Sequence, residues 1–269
     1  MSKKVVFITG ASSGIGKSVA LYLTDKGFTV YGTSRNPNKI TEKLPFKLVA
    51  LDVADNKTIQ AAIQQVIEAE GQLDIVINNA GVGITGPLEE TPDVEIKKAF
   101  QTNVFGPLDV IKAALPQMRK QKCGLIINVT SIAGYMGLPY RGVYSATKAT
   151  LEILTEAFRM EIKDFNIQMT NVAPGDFATN IASGRYHSPV LKNSPYQKPY
   201  GDTLKLMDQH VDHGSDPKEM AKAIYKIINT PKPKIHYKVG AFMQKFSIIL
   251  KCILPDKVYE KMLLNHYKL

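Results

Sequence analysis

The chain has 269 residues, of which 44% are hydrophobic and 22% are charged, and its formal net charge is +10. This length and composition argue against disorder and are typical of one domain, residues 1–269, with a sizeable core. The positive charge favours anionic partners. Because the lysines and arginines form neither a long basic run nor a nucleic-acid motif, we expect no nucleic-acid binding.

The cysteines and the N-terminus carry information about the compartment. Cys123 and Cys252 are the only cysteines and lie far apart in the sequence. They indicate neither a disulfide framework nor a zinc site, and they fit a reducing, cytoplasmic compartment. Lys3 and Lys4 lead directly into a short apolar run, which is too short for a signal peptide. We therefore expect the N-terminus to be part of the fold and no bound metal.

Short β-branched runs alternate with longer segments of helical period. The first half predicts, in order, strand 5–9, helix 15–26, strands 29–33 and 47–51, helix 57–70 and strand 73–78. The second half predicts helix 94–119, strand 125–130, helix 143–164, strand 167–172, helix 217–228 and a short seventh strand at 235–239. This alternation predicts an α/β fold with a doubly wound, mainly parallel seven-stranded sheet and helices on both faces.

The periodicity fails between Pro174 and Asp216, where prolines, glycines and tyrosines form a long irregular segment. Loops of this length usually have a function. A linker is the alternative, but a linker would separate two cores, and too little chain follows to build a second one. We expect residues 176–215 to form a mobile lid over a pocket.

A glycine-rich segment lies directly between the first predicted strand and the first helix. Gly10 permits a sharp exit from the strand, Gly14 lets the backbone approach a pyrophosphate, and Gly16 allows close packing of the helix. This context predicts a dinucleotide site. Its residues are Gly10, Ser12, Ser13, Gly14, Ile15 and Gly16.

The end of the second predicted strand indicates which dinucleotide binds. An NAD-binding enzyme usually has Asp or Glu there, whereas this chain has Ser34 and Arg35. The guanidinium of Arg35 suits a 2′-phosphate, and Ser34 adds a hydroxyl donor. We therefore predict NADP(H) as the cofactor; the alternative is that Arg35 is only a surface arginine.

Further motifs follow the glycine-rich segment in order: Asn78-Asn79-Ala80-Gly81, Asn103, Ser131, Tyr144-Ser145-Ala146-Thr147-Lys148 and Pro174-Gly175. With these motifs, residues 3–179 resemble the short-chain dehydrogenase/reductase family. The resemblance implies one Rossmann-type domain and an oxidoreductase that acts on a ketone, an aldehyde or the corresponding alcohol. It also implies a homo-oligomer, dimer or tetramer, formed through the helices at 94–119 and 144–164.

Four residues are the candidate catalytic group. Tyr144 and Lys148 are four residues apart and share a helix face, so the Lys148 ammonium can make the phenol more acidic for general acid or base catalysis. By resemblance, Lys148 also holds the nicotinamide ribose, Ser131 orients the substrate oxygen and Asn103 positions a relay water. Taken singly, each residue also has an ordinary structural interpretation.

The resemblance adds further cofactor contacts. Asp52 and Val53 would flank the adenine, although Asp52 is equally interpretable as a turn acid. Thr179 would contact the nicotinamide amide or a phosphate. The other implied contacts are Asn79, Ala80, Gly81, Tyr144, Lys148, Pro174 and Gly175.

The substrate is expected to be a small apolar molecule. Aromatic and apolar residues in the lid and after Ser131 predict the pocket wall, namely Phe177, Tyr186, Tyr196, Tyr200, Tyr135, Met136 and Leu138. Such a wall suits a lipid-like, steroid-like, retinoid-like or aromatic carbonyl compound. Aromatic residues in a lid can equally pack on one another.

Residues 240–269 alternate apolar side chains with lysines and predict one or two basic amphipathic helices. Two uses compete: packing over the substrate mouth or against another subunit, and peripheral contact with an anionic membrane. The apolar runs are too short to span a bilayer. We favour packing.

The sequence thus predicts an NADPH-dependent oxidoreductase. The alternative from another class is a catalytically silent NADP(H)-binding sensor or scaffold of the same fold, which would be expected to lose Tyr144 or Lys148. A nucleotide-sugar dehydratase or epimerase is disfavoured by the short chain and the glycine spacing.

Overall fold

The computed structural model describes residues 3–177, 184–212 and 214–269. The strands are β1 (Val5–Ile8), β2 (Thr29–Ser34), β3 (Lys47–Ala50), β4 (Ile75–Asn78), β5 (Ile84–Thr85), β6 (Gly124–Val129), β7 (Ile167–Pro174), β8 (Tyr186–His187) and β9 (His236–Val239). The α-helices are α1 (Gly14–Asp25), α2 (Asn56–Glu70), α3 (Asp93–Phe100), α4 (Gly106–Gln121), α5 (Gly142–Glu161), α6 (Gln197–Asp212), α7 (Pro217–Ile228), α8 (Phe242–Ile253) and α9 (Asp256–Tyr267). Short 3₁₀ helices lie at Pro37–Lys39, Leu88–Glu90, Ile132–Tyr135 and Lys163–Phe165.

Seven strands form one parallel sheet in the order β3-β2-β1-β4-β6-β7-β9. This confirms the predicted Rossmann-type, doubly wound fold. β5 and β8 form a separate parallel pair, which the sequence did not predict.

Both faces of the sheet are covered because the central strands are apolar throughout. Val5 and Phe7 of β1 pack with α2 and α4 on one face, and Val6 and Ile8 pack with α1 and α7 on the other. All four side chains are buried. A parallel strand with helices on both sides shows this continuous burial instead of alternation.

The strand order reverses beside β1, since β2 and β3 lie on one side of it and β4 on the other. In open α/β sheets, ligands bind at the carboxyl ends of the strands where the order reverses. The turns after β1 and β4 therefore mark the expected cofactor crevice.

The structure corrects the helix predicted at 94–119. It consists of α3, a π-helical turn at Gln101–Phe105 and α4. The wider turn contains Asn103, whose buried amide is bonded to the chain after β4.

The predicted irregular lid also contains regular structure, because α6 and β8 lie within 176–215. Tyr200 of α6 is buried, and its hydroxyl donates to the carbonyl oxygens of Thr85 and Ser188 at 3.2 and 3.0 Å. This contact holds α6 against the β5–β8 pair.

The C-terminal segment forms α8 and α9, as predicted. Ile248 and Tyr259 pack with Ile132, Met136 and Ala173 in one apolar cluster. The tail therefore packs on the chain that follows β6. None of the described helices combines the length and apolar character needed to cross a bilayer.

Candidate active site

The glycine-rich turn joins β1 to α1 at the carboxyl edge of the sheet. Gly10 has a φ angle of +68°, in the left-handed region that favours glycine. A β-carbon on Gly16 would lie 2.3 Å from the Gly10 carbonyl oxygen. Because that distance leaves no room for a side chain, α1 can pack this closely only with glycine at position 16.

The N-terminus of α1 is open to an anion. Its N-cap, Ser13, makes no capping hydrogen bond through its side chain, and the first turn contains no acidic residue. The first N–H groups of a helix lack partners within it and carry partial positive charge. These groups, with Ser12, Gly14 and Ile15 beside them, fit the pyrophosphate of a dinucleotide.

Hydrogen bonds join the chain after β4 to the glycine-rich turn. Thr9 Oγ1 accepts the backbone N–H groups of Asn79 and Ala80, both at 3.0 Å. Asn79 Nδ2 donates to the carbonyl oxygens of Thr9 and Gly10, also at 3.0 Å. The two turns therefore form one connected floor at the point where the strand order reverses.

Arg35 lies beside this floor. The Gly10 N–H donates to Thr33 Oγ1 at 3.1 Å, which brings the end of β2 against the glycine-rich turn. Ser34 Oγ accepts the Asn36 N–H at 3.3 Å. The Arg35 side chain is exposed and has no hydrogen-bonding or ionic partner in the described parts of the chain. Its guanidinium is therefore available to a ligand.

Asp52 and Val53 follow β3 in a tight turn. Asp52 Oδ1 accepts the Ala54 N–H at 2.9 Å, and Val53 is buried. The Asp52 carboxylate thus helps to shape this turn, and its contact with the adenine stays a prediction.

Pro174 and Gly175 end β7 beneath the C-terminal segment. The Gly175 N–H donates to the Val239 carbonyl oxygen at 2.8 Å. A β-carbon on Gly175 would lie 1.9 Å from Gln244 Oε1, so α8 approaches this turn closely. Thr179 lies outside the described residues.

The π-helical turn places Asn103 next to Lys148. Asn103 Oδ1 accepts the Val82 N–H at 2.8 Å, and Nδ2 donates to the Val82 carbonyl at 2.9 Å and to Thr147 Oγ1 at 3.1 Å. A β-carbon on Gly81 would lie 3.2 Å from Asn103 Oδ1 and 3.3 Å from Lys148 Nζ. Both polar atoms therefore border the same small space.

Tyr144 and Lys148 occupy successive turns of α5, and both side chains are buried. Lys148 Nζ lies 5.9 Å from the centre of the Tyr144 ring and donates to the Val129 carbonyl at 3.0 Å. Arg141 Cζ lies 5.2 Å from the centre of the same ring. Two cations therefore border the phenol, and sequence reasoning missed Arg141.

Ser131 follows β6 and caps the short helix Ile132–Tyr135. Its Oγ accepts the Ala133 N–H at 3.1 Å. Because a hydroxyl can accept and donate at once, the Ser131 hydrogen remains able to donate to a substrate oxygen.

A cavity of about 500 Å³ adjoins Ser131. Arg141, Gly175 and Ala133 also line it. Tyr144 packs in an apolar cluster with Ala133 and thus lies next to this wall. The apolar lining comes from the chain after β6, from α6 and from α8 and α9. Its residues are Met136, Leu138, Met207, Met243, Leu250, Tyr259, Met262 and Leu263.

The structure corrects the predicted aromatic wall. Met136 and Leu138 line the cavity, but the aromatic residues assigned to the wall do not: Tyr135, Phe177, Tyr186, Tyr196 and Tyr200. Phe177 instead packs in the core beneath the sheet. The aromatic lining residues are Tyr259 and Tyr267, from the tail.

Tyr267 brings a buried phenol to a polar part of the cavity wall. Burial raises the pKa of Tyr267, whereas the positive charge of Arg141 and its hydrogen bond act in the opposite direction. The Asp176 carboxylate also raises this pKa through its charge. The last turn of α9 is therefore part of the candidate site.

Sequence reasoning also missed a buried acid one turn beyond Lys148 on α5. Glu152 Oε2 accepts from Asn171 Nδ2 at 2.9 Å and lies 2.6 Å from His236 Nδ1. Thr130 donates to the other carboxylate oxygen. Glu152 therefore ties together the end of β6, the middle of β7 and the start of β9. Its four-residue spacing from Lys148 was the available signal.

The chain is similar to known proteins in sequence and in structure. A sequence profile of the family described as short chain dehydrogenase matches residues 4–188. A 3-ketodihydrosphingosine reductase from Bacteroides thetaiotaomicron is 38% identical over 261 residues, covering 97% of this chain and 96% of the relative.

Two solved structures are similar in fold and in sequence. A short-chain dehydrogenase from Streptomyces avermitilis superposes with a TM-score of 0.85 at 31% identity, covering 99% of this chain and 97% of the other. The structure of ElxO with NADP bound superposes with a TM-score of 0.69 at 30% identity, covering 88% of this chain and 97% of the other. The chain belongs to the short-chain dehydrogenase/reductase family of oxidoreductases.

Proposed function

We propose that the protein reduces the ketone of a long-chain, amphiphilic molecule with NADPH, in a reversible reaction. The observation that carries this proposal is the cavity of about 500 Å³, which joins Ser131 to a wall of methionine and leucine side chains. A polar reacting group fits at Ser131, and an acyl chain fits along the apolar wall.

The proposed chemistry divides among the four candidate catalytic residues. When bound, NADPH supplies the hydride for the carbonyl carbon and leaves as NADP⁺. Tyr144 donates its phenolic proton to the carbonyl oxygen, and Ser131 orients that oxygen through its hydroxyl hydrogen. Lys148 stabilises the phenolate that remains and holds the nicotinamide ribose. Asn103 positions the water that returns a proton to this group.

Arg35 supports NADPH over NADH. Its exposed guanidinium at the end of β2, beside the glycine-rich turn, suits the 2′-phosphate. The ElxO structure, at 30% identity, contains NADP, which is consistent with this choice.

The substrate class follows from the shape of the wall and from the relative named 3-ketodihydrosphingosine reductase. Flexible methionine and leucine side chains suit an alkyl chain, because they adapt to it without a fixed aromatic slot. We therefore propose a lipid-like ketone over a steroid-like, retinoid-like or small aromatic carbonyl. No finding favours the silent sensor or scaffold.

The test is NADPH oxidation with a carbonyl panel. The panel contains 3-ketodihydrosphingosine in detergent micelles, a water-soluble short-chain ketone, a ketosteroid, retinal and a small aromatic aldehyde. The proposal predicts the highest kcat/KM for the long-chain ketone. A preference for the aromatic aldehyde would reject the substrate class, and absence of turnover with every compound would reject the enzyme.

A pair of adjacent leucines provides a matched control. Leu263 lines the cavity, whereas Leu264 is 38% exposed and lies outside the lining. Leu263→Trp should raise KM for the long-chain ketone and leave the short-chain ketone unaffected, since only the alkyl chain needs that space. Leu264→Trp should change neither.

We also propose a cytoplasmic location, in line with two cysteines, Cys123 and Cys252, that form no disulfide.

A further inference from the structure

Helix α8 has two apolar faces. One lines the cavity through Met243 and Leu250. The other consists of Phe242, Ile249 and Ile253, which are 71%, 51% and 68% exposed. With Phe246, these residues follow spacings of four, three and four, which place them in one stripe along the helix.

This stripe, Phe242, Phe246, Ile249 and Ile253, is about 16 Å long at the rise of an α-helix. The Phe242 and Phe246 rings stack with centroids 5.7 Å apart, so they form one continuous apolar surface. Within the described parts of the chain no helix or strand packs over Phe242, Ile249 or Ile253, as their exposure shows. Large apolar side chains in a contiguous exposed row mark an interaction surface.

The stripe continues toward the mouth of the cavity. Met243 on α8 and Met262 on α9 both line the cavity and are 67% and 42% exposed. Val258, one turn before Met262, is 48% exposed. Exposed residues of the cavity lining therefore lie next to the stripe, on α8 and α9.

The charge around the stripe is positive. Residues 240–269 contain five lysines and two acidic side chains, a difference of +3. Lys251 pairs with Asp256 at 2.9 Å. The other four lysines have no salt-bridge partner among the described residues, namely Lys245, Lys257, Lys261 and Lys268. An apolar stripe within a lysine-rich helical segment is typical of a helix that lies in the headgroup region of an anionic bilayer.

We propose that α8 and α9 dock the protein on an anionic phospholipid bilayer, with the apolar stripe in the interface and the cavity mouth facing the membrane. The sequence presented packing over the cavity and membrane contact as competing uses. In this proposal they belong to adjacent faces of the same helix. A second copy of this chain fits less well, because a two-fold contact would bring the lysines of both copies together. This surface does not depend on the proposed reaction.

The first experiment measures co-sedimentation of the full chain with extruded vesicles. One set is phosphatidylcholine alone, and the other is an equal mixture of phosphatidylcholine and phosphatidylglycerol. The proposal predicts binding to the mixed vesicles, at least tenfold weaker binding to phosphatidylcholine, and weakening with added salt. Failure to bind mixed vesicles, or equal binding to both sets, would overturn it.

The second experiment locates the surface. The triple variant Phe242→Ser/Ile249→Ser/Ile253→Ser should bind mixed vesicles at least tenfold more weakly, because it removes most of the apolar stripe. It should leave the cavity intact, since none of these residues lines it. A control triple variant, Leu88→Ser/Val190→Ser/Leu191→Ser, removes exposed apolar residues elsewhere and should bind like the wild type. Equal losses in both variants would contradict the proposal.

A charge-reversal variant keeps the test decisive if the first triple variant misfolds. Lys245→Glu/Lys257→Glu/Lys261→Glu leaves the stripe intact and should also weaken binding at least tenfold. A control that reverses two lysines elsewhere, Lys198→Glu/Lys205→Glu on α6, should bind like the wild type. Sedimentation velocity without vesicles serves as the last check. If the stripe variant turns a larger assembly into a smaller one, a second copy covers the face and the membrane proposal is wrong.

Discussion

At the residue scale, the candidate site depends on polar atoms that are held in place before any ligand binds. The Asn103 amide makes three hydrogen bonds, and Lys148 Nζ is anchored on the Val129 carbonyl. Fixed donors lose little freedom when a substrate arrives, which is how preorganised sites stabilise developing charge. The fold therefore brings Asn103 and Lys148 of the candidate group to one small space beside Gly81, and their catalytic roles stay predictions.

Arg35 allows a test of cofactor choice at this scale. Arg35→Ala should weaken NADPH binding by about tenfold to a hundredfold, the value of one or two charge-assisted hydrogen bonds, and leave NADH binding unchanged. Titration of both cofactors by fluorescence measures this. Lys39→Ala, a nearby exposed lysine, is the control. Equal loss for NADPH and NADH would contradict the role of the 2′-phosphate.

At the element scale, α5 organises the site through one row of polar side chains. Tyr144, Lys148 and Glu152 occupy successive turns. Glu152 joins α5 to β6, β7 and β9 through Thr130, Asn171 and His236. Such a buried acid needs all of its partners, because an unpaired charge in the interior is costly. This row of side chains thus couples the stability of α5 to the position of the chain after β6.

Replacing Glu152 tests this coupling. Glu152→Ala should destabilise the protein by about 2–4 kcal/mol, because the buried partners lose their acceptor. Urea unfolding followed by circular dichroism measures the change. Glu156→Ala removes an acid one turn further on that is 51% exposed, and it should cost less than about 1 kcal/mol. Equal effects of the two substitutions would argue against a buried network.

Tyr267 allows a pH test of α9. Because burial raises the pKa of this phenol above its ordinary value of 10.0, the packed state favours the neutral form. The contribution of Tyr267 to the free energy of unfolding is fully present below pH 10.0. It is lost as the pH rises from that value through the raised pKa. Unfolding free energies of the wild type should therefore fall more steeply above this pH than those of Tyr267→Phe. Identical alkaline slopes would contradict the burial of Tyr267.

The sequence predicted strands and helices where the periodicity was strong, as in β1, α2 and α7. It missed α6 because Pro199 and Gly201 near its start are typical helix breakers, although proline is tolerated in a first turn. It missed β5 and β8 because strands of two residues have no detectable pattern. The prediction of an aromatic cavity wall was wrong because much of the wall comes from α8 and α9. These helices are far from Ser131 in the sequence, and only tertiary packing brings them to the cavity.

At the scale of the whole molecule, the surface contains apolar residues that the described chain does not cover. Ile153 and Met160 on α5 are 65% and 68% exposed, and Phe105 beside α4 is 51% exposed. They lie on the helices through which the family resemblance implies oligomers. We therefore propose that residues 1–269 form one folding unit that assembles through this surface.

Assembly can be tested directly. The wild type should elute as a dimer or tetramer in size-exclusion chromatography with light scattering. Ile153→Glu/Met160→Glu should shift it to a smaller species, because the introduced charges would be buried at the contact. Leu88 is also 68% exposed but lies outside α4 and α5. Leu88→Glu should therefore leave the assembly unchanged. A monomeric wild type would exclude this interface.

The central claim is that the Tyr144 hydroxyl transfers the proton during carbonyl reduction. The most direct measurement is single-turnover oxidation of NADPH with a long-chain ketone in Tyr144→Phe. Because the ring and its apolar contacts with Ile84, Ala99 and Ala133 remain, this variant should bind NADPH like the wild type. Hydride transfer should nevertheless slow by about a hundredfold or more. Tyr186→Phe, in the same cluster, should react normally. A Tyr144→Phe protein that binds NADPH and reacts at the wild-type rate would contradict the account.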